Sequence, residues 1–193
     1  MRRRKFRALQ KLKSQHSYLS TGAGVIGMAR TPDDHGYWLV GSDGGVFAFG
    51  DAPYLGSLPQ LGIRVGNIVG MAPIKSGSGY WLVGSDGGVF AFGDAGFYGS
   101  MGGKPLNKPV VAISVTPSGK GYWLAAADGG VFAFGDAPFY GSMAGKSLNG
   151  RIDSIAPTPT GHGYWLNACD GGVFAFGDAP FYGSNPVYGC RGI

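Results

Sequence analysis

Eight aspartates are the most numerous candidates for chemistry in this chain of 193 residues. They form two sets, each with one member in each of four nearly identical stretches: Asp43, Asp86, Asp128 and Asp170, then Asp51, Asp94, Asp136 and Asp178. The two members of one stretch lie at opposite ends of a predicted strand that spans about 16 Å at about 3.3 Å per residue. Carboxylates so far apart cannot chelate one ion or flank one glycosidic bond. We predict that each caps a turn by accepting backbone N–H bonds, and calcium binding is the alternative.

Histidine offers no general base with a recognisable partner. His35 and His162 occupy the same position before Gly-Tyr-Trp, where the other stretches carry Ser78 and Lys120, which predicts a surface turn. His16 lies near the amino terminus, and the sequence contains neither a Ser-His-Asp arrangement nor a metal-ligand spacing. We therefore predict a protein that is not an enzyme and that uses no metal and no cofactor.

The two cysteines, Cys169 and Cys190, lie 21 residues apart. Two thiols make neither a disulfide framework nor a metal site. We expect two free thiols, and pairing in an oxidising compartment is the alternative.

The aromatic residues are the best lead to a ligand. Phe, Trp and Tyr make up 13% of the chain, and repeated rings near turns leave equivalent faces on which sugars stack. Repeated sites also raise avidity without tighter single sites. We predict ligand binding at Tyr98, Tyr140 and Tyr182, which follow Gly-Asp-Ala turns. The first stretch has Leu55 at this position, so at most three sites are equivalent.

An internal repeat positions all of these residues. Gly-Tyr-Trp-Leu occurs four times, and it contains every tryptophan of the chain: Trp38, Trp81, Trp123 and Trp165. Each copy continues through Asp-Gly-Gly-Val-Phe-Ala-Phe-Gly-Asp-Ala to an aromatic pair or near-pair and Gly-Ser. The copies follow one another every 42 or 43 residues and together cover residues 25–184.

Each copy is predicted to form four short strands. The first is apolar and rich in β-branched residues, at 25–29, 67–72, 110–115 and 152–156. The second contains Tyr-Trp-Leu, the third is Val-Phe-Ala-Phe, and the fourth begins at the aromatic pair. Asp-Gly between the second and third strands predicts a primed hairpin turn. With 38 glycines and no glutamate, the chain excludes an all-helical fold.

The second and third strands carry few polar residues on either face, so both faces must be covered. Stacking identical small sheets face to face covers them. Four strands in about 42 residues is the length of a propeller blade. We predict an all-β fold, a β-propeller-like array of four blades. An open solenoid of aromatic hairpins is the alternative.

The string GYWLVGSDGGVFAFGDA, followed by FYGSMGGKPLN, resembles a tandem repeat widespread in large actinobacterial proteins, many of them exported. More loosely, it resembles blades of quinoprotein-type and WD-type β-propellers. The resemblance implies a propeller-like module attached to enzymatic or cell-envelope domains, with an extracellular or cell-surface location. It implies no activity of its own for this module, and it implies that the chain is a short or truncated member.

Four blades must either close a ring or leave two open ends. Residues 17–20, Ser-Tyr-Leu-Ser, echo the fourth-strand segment of the first repeat and are the candidates to complete the last blade. We expect a monomeric ring. The alternative is a half-ring that forms a homodimer of eight blades.

The positive charge of the chain is confined to its amino terminus. The net charge is +5, but residues 1–13 hold seven basic residues and no acid, and the remaining nine basic and eleven acidic residues give −2. We assign residues 1–20 to a basic tail and residues 21–193 to the repeat domain. We expect a solvated tail, no cleavable signal and no membrane span.

These features predict a non-enzymatic binding or interaction module. We expect a cell-envelope or extracellular scaffold that recognises a glycan or a protein partner. One alternative is a nucleic-acid-associated protein that uses the basic arm. The other is an accessory repeat domain of a larger secreted hydrolase.

Overall fold

The chain forms four three-stranded antiparallel sheets, which we call blades 1 to 4 in chain order. The computed structural model describes residues 23–186 and 189–190. The predicted basic tail, His16 and the 17–20 segment lie outside those ranges. In each blade the strands pair in sequence order. The twelve strands are β1 Val25–Arg30, β2 Gly36–Gly41, β3 Val46–Gly50, β4 Ile68–Pro73, β5 Gly79–Gly84, β6 Val89–Gly93, β7 Val110–Val115, β8 Gly121–Ala126, β9 Val131–Gly135, β10 Ile152–Pro157, β11 Gly163–Ala168 and β12 Val173–Gly177.

The predicted all-β class is confirmed. In the part of the chain that the structure describes, the one helical element is a 3-10 turn at Pro59–Leu61. No helix there is long and apolar enough to cross a membrane.

The same register places a large ring opposite a small side chain in every blade. Trp38 of β2 lies opposite Ala48 of β3, and Tyr37 lies opposite Phe49 on the other face. Blades 2, 3 and 4 repeat this register. Each indole N–H donates a hydrogen bond of 2.7 or 2.8 Å to a carbonyl in the loop after the third strand: Pro53, Gly96, Pro138 and Pro180. The tryptophan therefore fixes the exit of its own hairpin, and in blades 1 to 3 its ring packs against the next blade.

The hydrophobic core lies between the blades rather than within them. We call the three contacts seams 1–2, 2–3 and 3–4 after the blades that they join. Their central residues are Trp38, Tyr80 and Leu82 in seam 1–2, Trp81, Tyr122 and Leu124 in seam 2–3, and Trp123, Tyr164 and Leu166 in seam 3–4. Strands β5 and β8 are buried at every position. This confirms that the Tyr-Trp-Leu strands of the middle blades are covered on both faces.

A buried tyrosine in each seam bonds its blade to the preceding one. Tyr122 donates its hydroxyl to the Gly99 carbonyl at 2.6 Å and accepts the Tyr98 N–H at 3.2 Å. Tyr80 and Tyr164 make the matching pairs of bonds in the other two seams. Burial raises the pKa of all three hydroxyls above the ordinary value for tyrosine. The hydroxyls therefore remain protonated and keep donating over the physiological pH range.

The predicted fourth strand is wrong, because each blade has three strands. The aromatic pair and the following Gly-Ser form a loop that packs on the next blade. Gly99 has φ of +132°, which an extended strand residue does not adopt. The polar groups that a fourth strand would offer to the sheet bond instead to the tyrosine hydroxyl of the next blade.

The hairpin turn between the second and third strands also differs from the primed turn predicted from Asp-Gly. The Gly44 N–H donates to the Gly41 carbonyl at 2.9 Å, and the Gly41 N–H donates to the Gly45 carbonyl at 2.8 Å. Gly44 has φ of +76°, whereas Asp43 does not have a positive φ. A type I′ turn needs positive φ at both central residues, so this four-residue connection with one left-handed glycine is a different hairpin class.

The expected closed ring is not formed by the described residues. Strand β4 contacts β1 and β7, and β7 contacts β10, so the first strands line the inside of an arc. Strands β1 and β10 make no comparable contact with each other. Val25 of β1 is 57% exposed, whereas Ile68, its equivalent in blade 2, is 2% exposed. The array therefore has two open ends.

The expected pair of free thiols is also corrected, because Cys169 and Cys190 are joined in a disulfide. Cys169 follows β11, and Cys190 lies beyond the last strand of blade 4. The sequence separation of 21 left this pairing open, since contact depends on how the chain returns after β12. The bond ties the end of the chain back to blade 4.

Replacing Cys190 with serine is expected to lower the free energy of unfolding by about 3 kcal/mol. The reason is that the disulfide closes a loop in the unfolded chain between two residues that are 21 positions apart. Urea unfolding of Cys190→Ser and of the unmodified chain measures the loss. The unmodified chain in reductant is the control, and it should match Cys190→Ser. Equal midpoints with and without the bond would contradict the prediction.

Candidate binding site

The first set of repeated aspartates lies in the β-hairpin turns. Each carboxylate accepts a hydrogen bond of 2.9 or 3.0 Å from the backbone N–H two residues later: Asp43 from Gly45, Asp86 from Gly88, Asp128 from Gly130 and Asp170 from Gly172. These contacts are the backbone N–H bonds predicted for turn-capping aspartates.

The second set of repeated aspartates is also predicted to accept backbone N–H bonds, but in blades 3 and 4 its members accept side-chain hydroxyls instead. Asp136 accepts the Thr116 hydroxyl at 2.9 Å and the Ser118 hydroxyl at 2.5 Å. Asp178 is held in the same way by Thr158 and Thr160. The Thr160 hydroxyl, followed by Thr158, lowers the pKa of Asp178 because both bonds favour the charged carboxylate. These aspartates therefore connect the turn after the first strand to the loop after the third strand.

Blade 1 departs from this pattern. Asp33 occupies the position of Ser118 and Thr160, so a second carboxylate faces Asp51 instead of a hydroxyl. Hydrogen bonding by the Thr31 hydroxyl, and next by the His35 backbone N–H, lowers the pKa of Asp33. One ligand atom from each of Asp33, His35 and Asp51 lies within 4.8 Å of the others.

This carboxylate and imidazole group borders a cavity of about 300 Å³ between blades 1 and 2. Asp33, His35 and Asp51 are all exposed, so water competes for every ligand atom. The sequence did not single out this group, because Asp33 and Asp51 are 18 residues apart and meet only through the pairing of β1, β2 and β3. His35 and His162 are both exposed at their turns.

The three tyrosines predicted to bind ligand have different surroundings. Tyr98 and Tyr140 are half-buried in seams 2–3 and 3–4, where each ring lies 5.9 Å from the tyrosine of the next blade. Tyr182 is 88% exposed, because no further blade packs against it among the described residues. Ligand binding by these residues stays a prediction, and Tyr182 alone of the three has an open ring face.

In each aromatic pair, the phenylalanine that precedes the tyrosine is exposed, and its exposed fraction is nearly the same in three blades. Phe97, Phe139 and Phe181 are 62%, 59% and 60% exposed. An apolar ring is therefore exposed to nearly the same extent at the equivalent position of three blades. Sequence reasoning missed these residues because adjacent aromatics give no signal for which one faces outward.

Two matching clefts lie beside the hairpin turns of blades 3 and 4. Their volumes are about 220 Å³ and about 230 Å³. They share eight pairs of identical lining residues, and five of these carry the larger or polar side chains: Leu106 and Leu148, Asn107 and Asn149, Asp128 and Asp170, Phe132 and Phe174, Ser142 and Ser184. Phe139 also lines the blade 3 cleft.

The lining of these clefts combines an aromatic ring with a carboxylate, a carboxamide and a hydroxyl. A ring offers a face for an apolar patch of a ligand, and the three polar groups fix its orientation by hydrogen bonds. Because Asp128 uses one oxygen to cap its turn, the lining carboxylate is held rigidly by the hairpin. The clefts thus combine an apolar face with hydrogen-bonding groups of three kinds, and they contain no nucleophile activated by a base.

The four stacked sheets define a propeller-like fold, and comparison with known structures supports this class. The chain is similar to the β-propeller domain of Cps50 (Swd1) from Myceliophteria thermophila, with a TM-score of 0.60 and 12% sequence identity. The match covers 91% of this chain and 59% of that chain. No protein family and no curated protein matches the chain by sequence. The likeness shows the fold alone, and the resemblance to exported actinobacterial repeats stays a prediction.

Proposed function

We propose that this protein is a non-enzymatic binding module that takes glycan chains in the repeated clefts of blades 3 and 4. The observation that carries the proposal is the pair of matching clefts, which present the same ring, carboxylate, carboxamide and hydroxyl. A propeller-like fold is typical of interaction modules, which is the broader basis for a binding role.

Repetition favours a polymeric ligand over a single small molecule. Two equivalent sites on one rigid array bind two units of the same chain, and the second contact is then intramolecular. A glycan supplies identical units at a regular spacing, whereas most protein partners do not. Weak single sites of this size are sufficient for such a ligand.

The disulfide between Cys169 and Cys190 supports a location at the cell envelope or outside the cell. Disulfides persist in oxidising compartments and are rare where thiols are kept reduced. The nucleic-acid alternative depends on residues 1–13, which lie outside the described residues, and it stays a prediction. Attachment to a larger secreted hydrolase is compatible with the same role.

The test is a glycan array with the full chain, followed by titration of the positive oligosaccharides and their polymers. We expect a polymer to bind about 100-fold more tightly than its short oligosaccharide, because both clefts engage it. Replacing Asp128 and Asp170 with asparagine should weaken oligosaccharide binding about tenfold while the turn hydrogen bond is retained.

Asp86→Asn is the matched control, since Asp86 caps the same turn in blade 2 and lines neither cleft. It should bind like the unmodified chain. Absence of binding at millimolar sugar would rule out the glycan role, and equal losses from Asp86→Asn would place the site elsewhere.

A further inference from the structure

The three internal seams repeat one set of complementary contacts. The blade that comes later in the chain contributes a tyrosine. The blade that comes earlier contributes a tryptophan ring and a Gly-containing loop. In seam 2–3, the Trp81 ring lies 5.4 Å from Tyr122, whose hydroxyl bonds the Gly99 carbonyl. The first strand adds a backbone bond, in which the Val110 N–H donates to the Ser85 carbonyl at 2.9 Å. Seams 1–2 and 3–4 contain the equivalent contacts.

Blade 1 carries the later-blade half of this set, although no blade lies before it among the residues that the structure describes. Tyr37 is the equivalent of Tyr122, and its hydroxyl bonds none of the described residues. Its ring stacks on Phe49 of its own blade and is 39% exposed. Beside it, Met28 of β1 is 65% exposed, whereas its equivalent Met71 packs into seam 1–2.

Blade 4 carries the earlier-blade half, although the described residues form no blade beyond it. Trp165 is only partly buried, in contrast to the fully buried tryptophans of the other three blades. Tyr182 is exposed, whereas its equivalents Tyr98 and Tyr140 fill seams. Gly183 has no neighbouring atom within 4 Å of the position of a Cβ, whereas Gly99 lies against the Phe134 ring of the next blade.

From these complementary ends we infer that two copies of this chain pair head to tail. Blade 1 of each copy docks on blade 4 of the other and forms a seam equivalent to the three internal ones. The occupant is a second copy because the unmatched groups of blade 1 and those of blade 4 are the two halves of one contact set. Inside the chain, these two halves meet in each of the three seams. Two copies joined this way satisfy both ends at once, and a heterologous contact that closes on itself gives a ring of defined size.

The arc of the chain agrees with this pairing. Its four blades superpose on 59% of a propeller chain, so the array corresponds to part of a ring. A second copy adds four blades, and eight blades lie within the range of known propellers. Both Met28 and Tyr182 then move from solvent into a seam.

The experiment is sedimentation velocity of the full chain without ligand, over about 1 to 100 µM, because the equilibrium depends on protomer concentration. We expect a species of about 40 kDa, twice the 20.0 kDa of the chain.

Met28→Asp and Tyr182→Asp should each weaken pairing by about 30-fold or more, since each places a charge in a seam. Both positions are exposed, so the blades should retain their circular dichroism spectrum. Leu61→Asp, at an exposed apolar residue of the 3-10 turn, is the control and should pair normally.

Mixing the two variants distinguishes head-to-tail pairing from other dimers. Each variant keeps one intact end, so an equal mixture of Met28→Asp and Tyr182→Asp should recover one seam and form a heterodimer. A dimer that joins two identical ends would be broken by one variant only, and this result would overturn the inference. A monomer throughout the concentration range would also overturn it. The same holds if the full chain stays monomeric and pairing occurs only after deletion of residues 1–22. Because no ligand is present, failure here leaves glycan binding in the clefts untouched.

Discussion

Trp123→Ala is expected to lower the free energy of unfolding by about 3 to 5 kcal/mol, the range for truncating a fully buried aromatic side chain. Trp123 is completely buried in seam 3–4, and its ring centroid lies 5.8 Å from that of Tyr164. Its indole N–H also donates to the Pro138 carbonyl at 2.7 Å. Alanine leaves a cavity in the seam and an unpaired carbonyl, so both the packing and the exit of the hairpin are weakened.

Urea unfolding followed by circular dichroism measures this loss. Phe97→Ala is the control, because Phe97 is exposed, and substitutions at such positions change stability by about 0.5 kcal/mol or less. Hydrogen exchange should show faster opening of seam 3–4 than of seam 1–2 in Trp123→Ala, as expected for an array in which each unit contacts only its neighbours. If Trp123→Ala were as mild as Phe97→Ala, the core would not lie in the seams.

The position of the strands follows from the repeated sequence itself. Tyr-Trp-Leu and Val-Phe-Ala-Phe each lack a polar face, and the Asp-Gly-Gly between them forces a reversal of the chain. Two apolar strands joined by a tight reversal must be covered on both sides, and only another copy is available to cover them. The observed strand Val110–Val115 has the bounds that the sequence predicts.

The features that sequence analysis missed all depend on contacts between blades. The aromatic pair was predicted to form a fourth strand, but the hydroxyl of Tyr122 in the next blade bonds its backbone groups. Which member of the pair faces solvent was also not predictable, because Gly99 turns the chain at a φ open mainly to glycine. Tyr98 is half-buried and Phe97 is exposed.

The two clefts of blades 3 and 4 were not predicted from the sequence for a related reason. Asn107 precedes β7, and Asp128 caps the turn after β8, so they meet only through the pairing of these strands. Each residue alone has an ordinary structural explanation in the sequence. The repeat did contain a usable signal, since Leu-Asn recurs at Leu106-Asn107 and Leu148-Asn149 in the loops that precede β7 and β10.

Gly135→Ala is expected to destabilise the fold far more than its size implies. Gly135 ends β9 with φ of +68°, and a Cβ there would lie 2.2 Å from the Lys120 carbonyl oxygen and 2.9 Å from the Gly121 Cα. The left-handed conformation costs about 1 to 2 kcal/mol for alanine. Overpacking against backbone that cannot move aside adds about 1 to 3 kcal/mol. The expected loss in the free energy of unfolding is therefore about 2 to 5 kcal/mol.

Gly119→Ala separates the two contributions within the same blade. Gly119 has φ of +72° and no atom within 4 Å of a Cβ, so only the conformational cost applies. Blade 1 already carries a side chain at this position, since Asp34 has φ of 64°. In urea unfolding, Gly135→Ala should therefore lose about 1 to 3 kcal/mol more than Gly119→Ala, which is the overpacking contribution alone. Equal losses would show that the close approach of β9 to Lys120 does not require glycine, and the recurrence of Gly before Asp-Ala in all four blades would then need another cause.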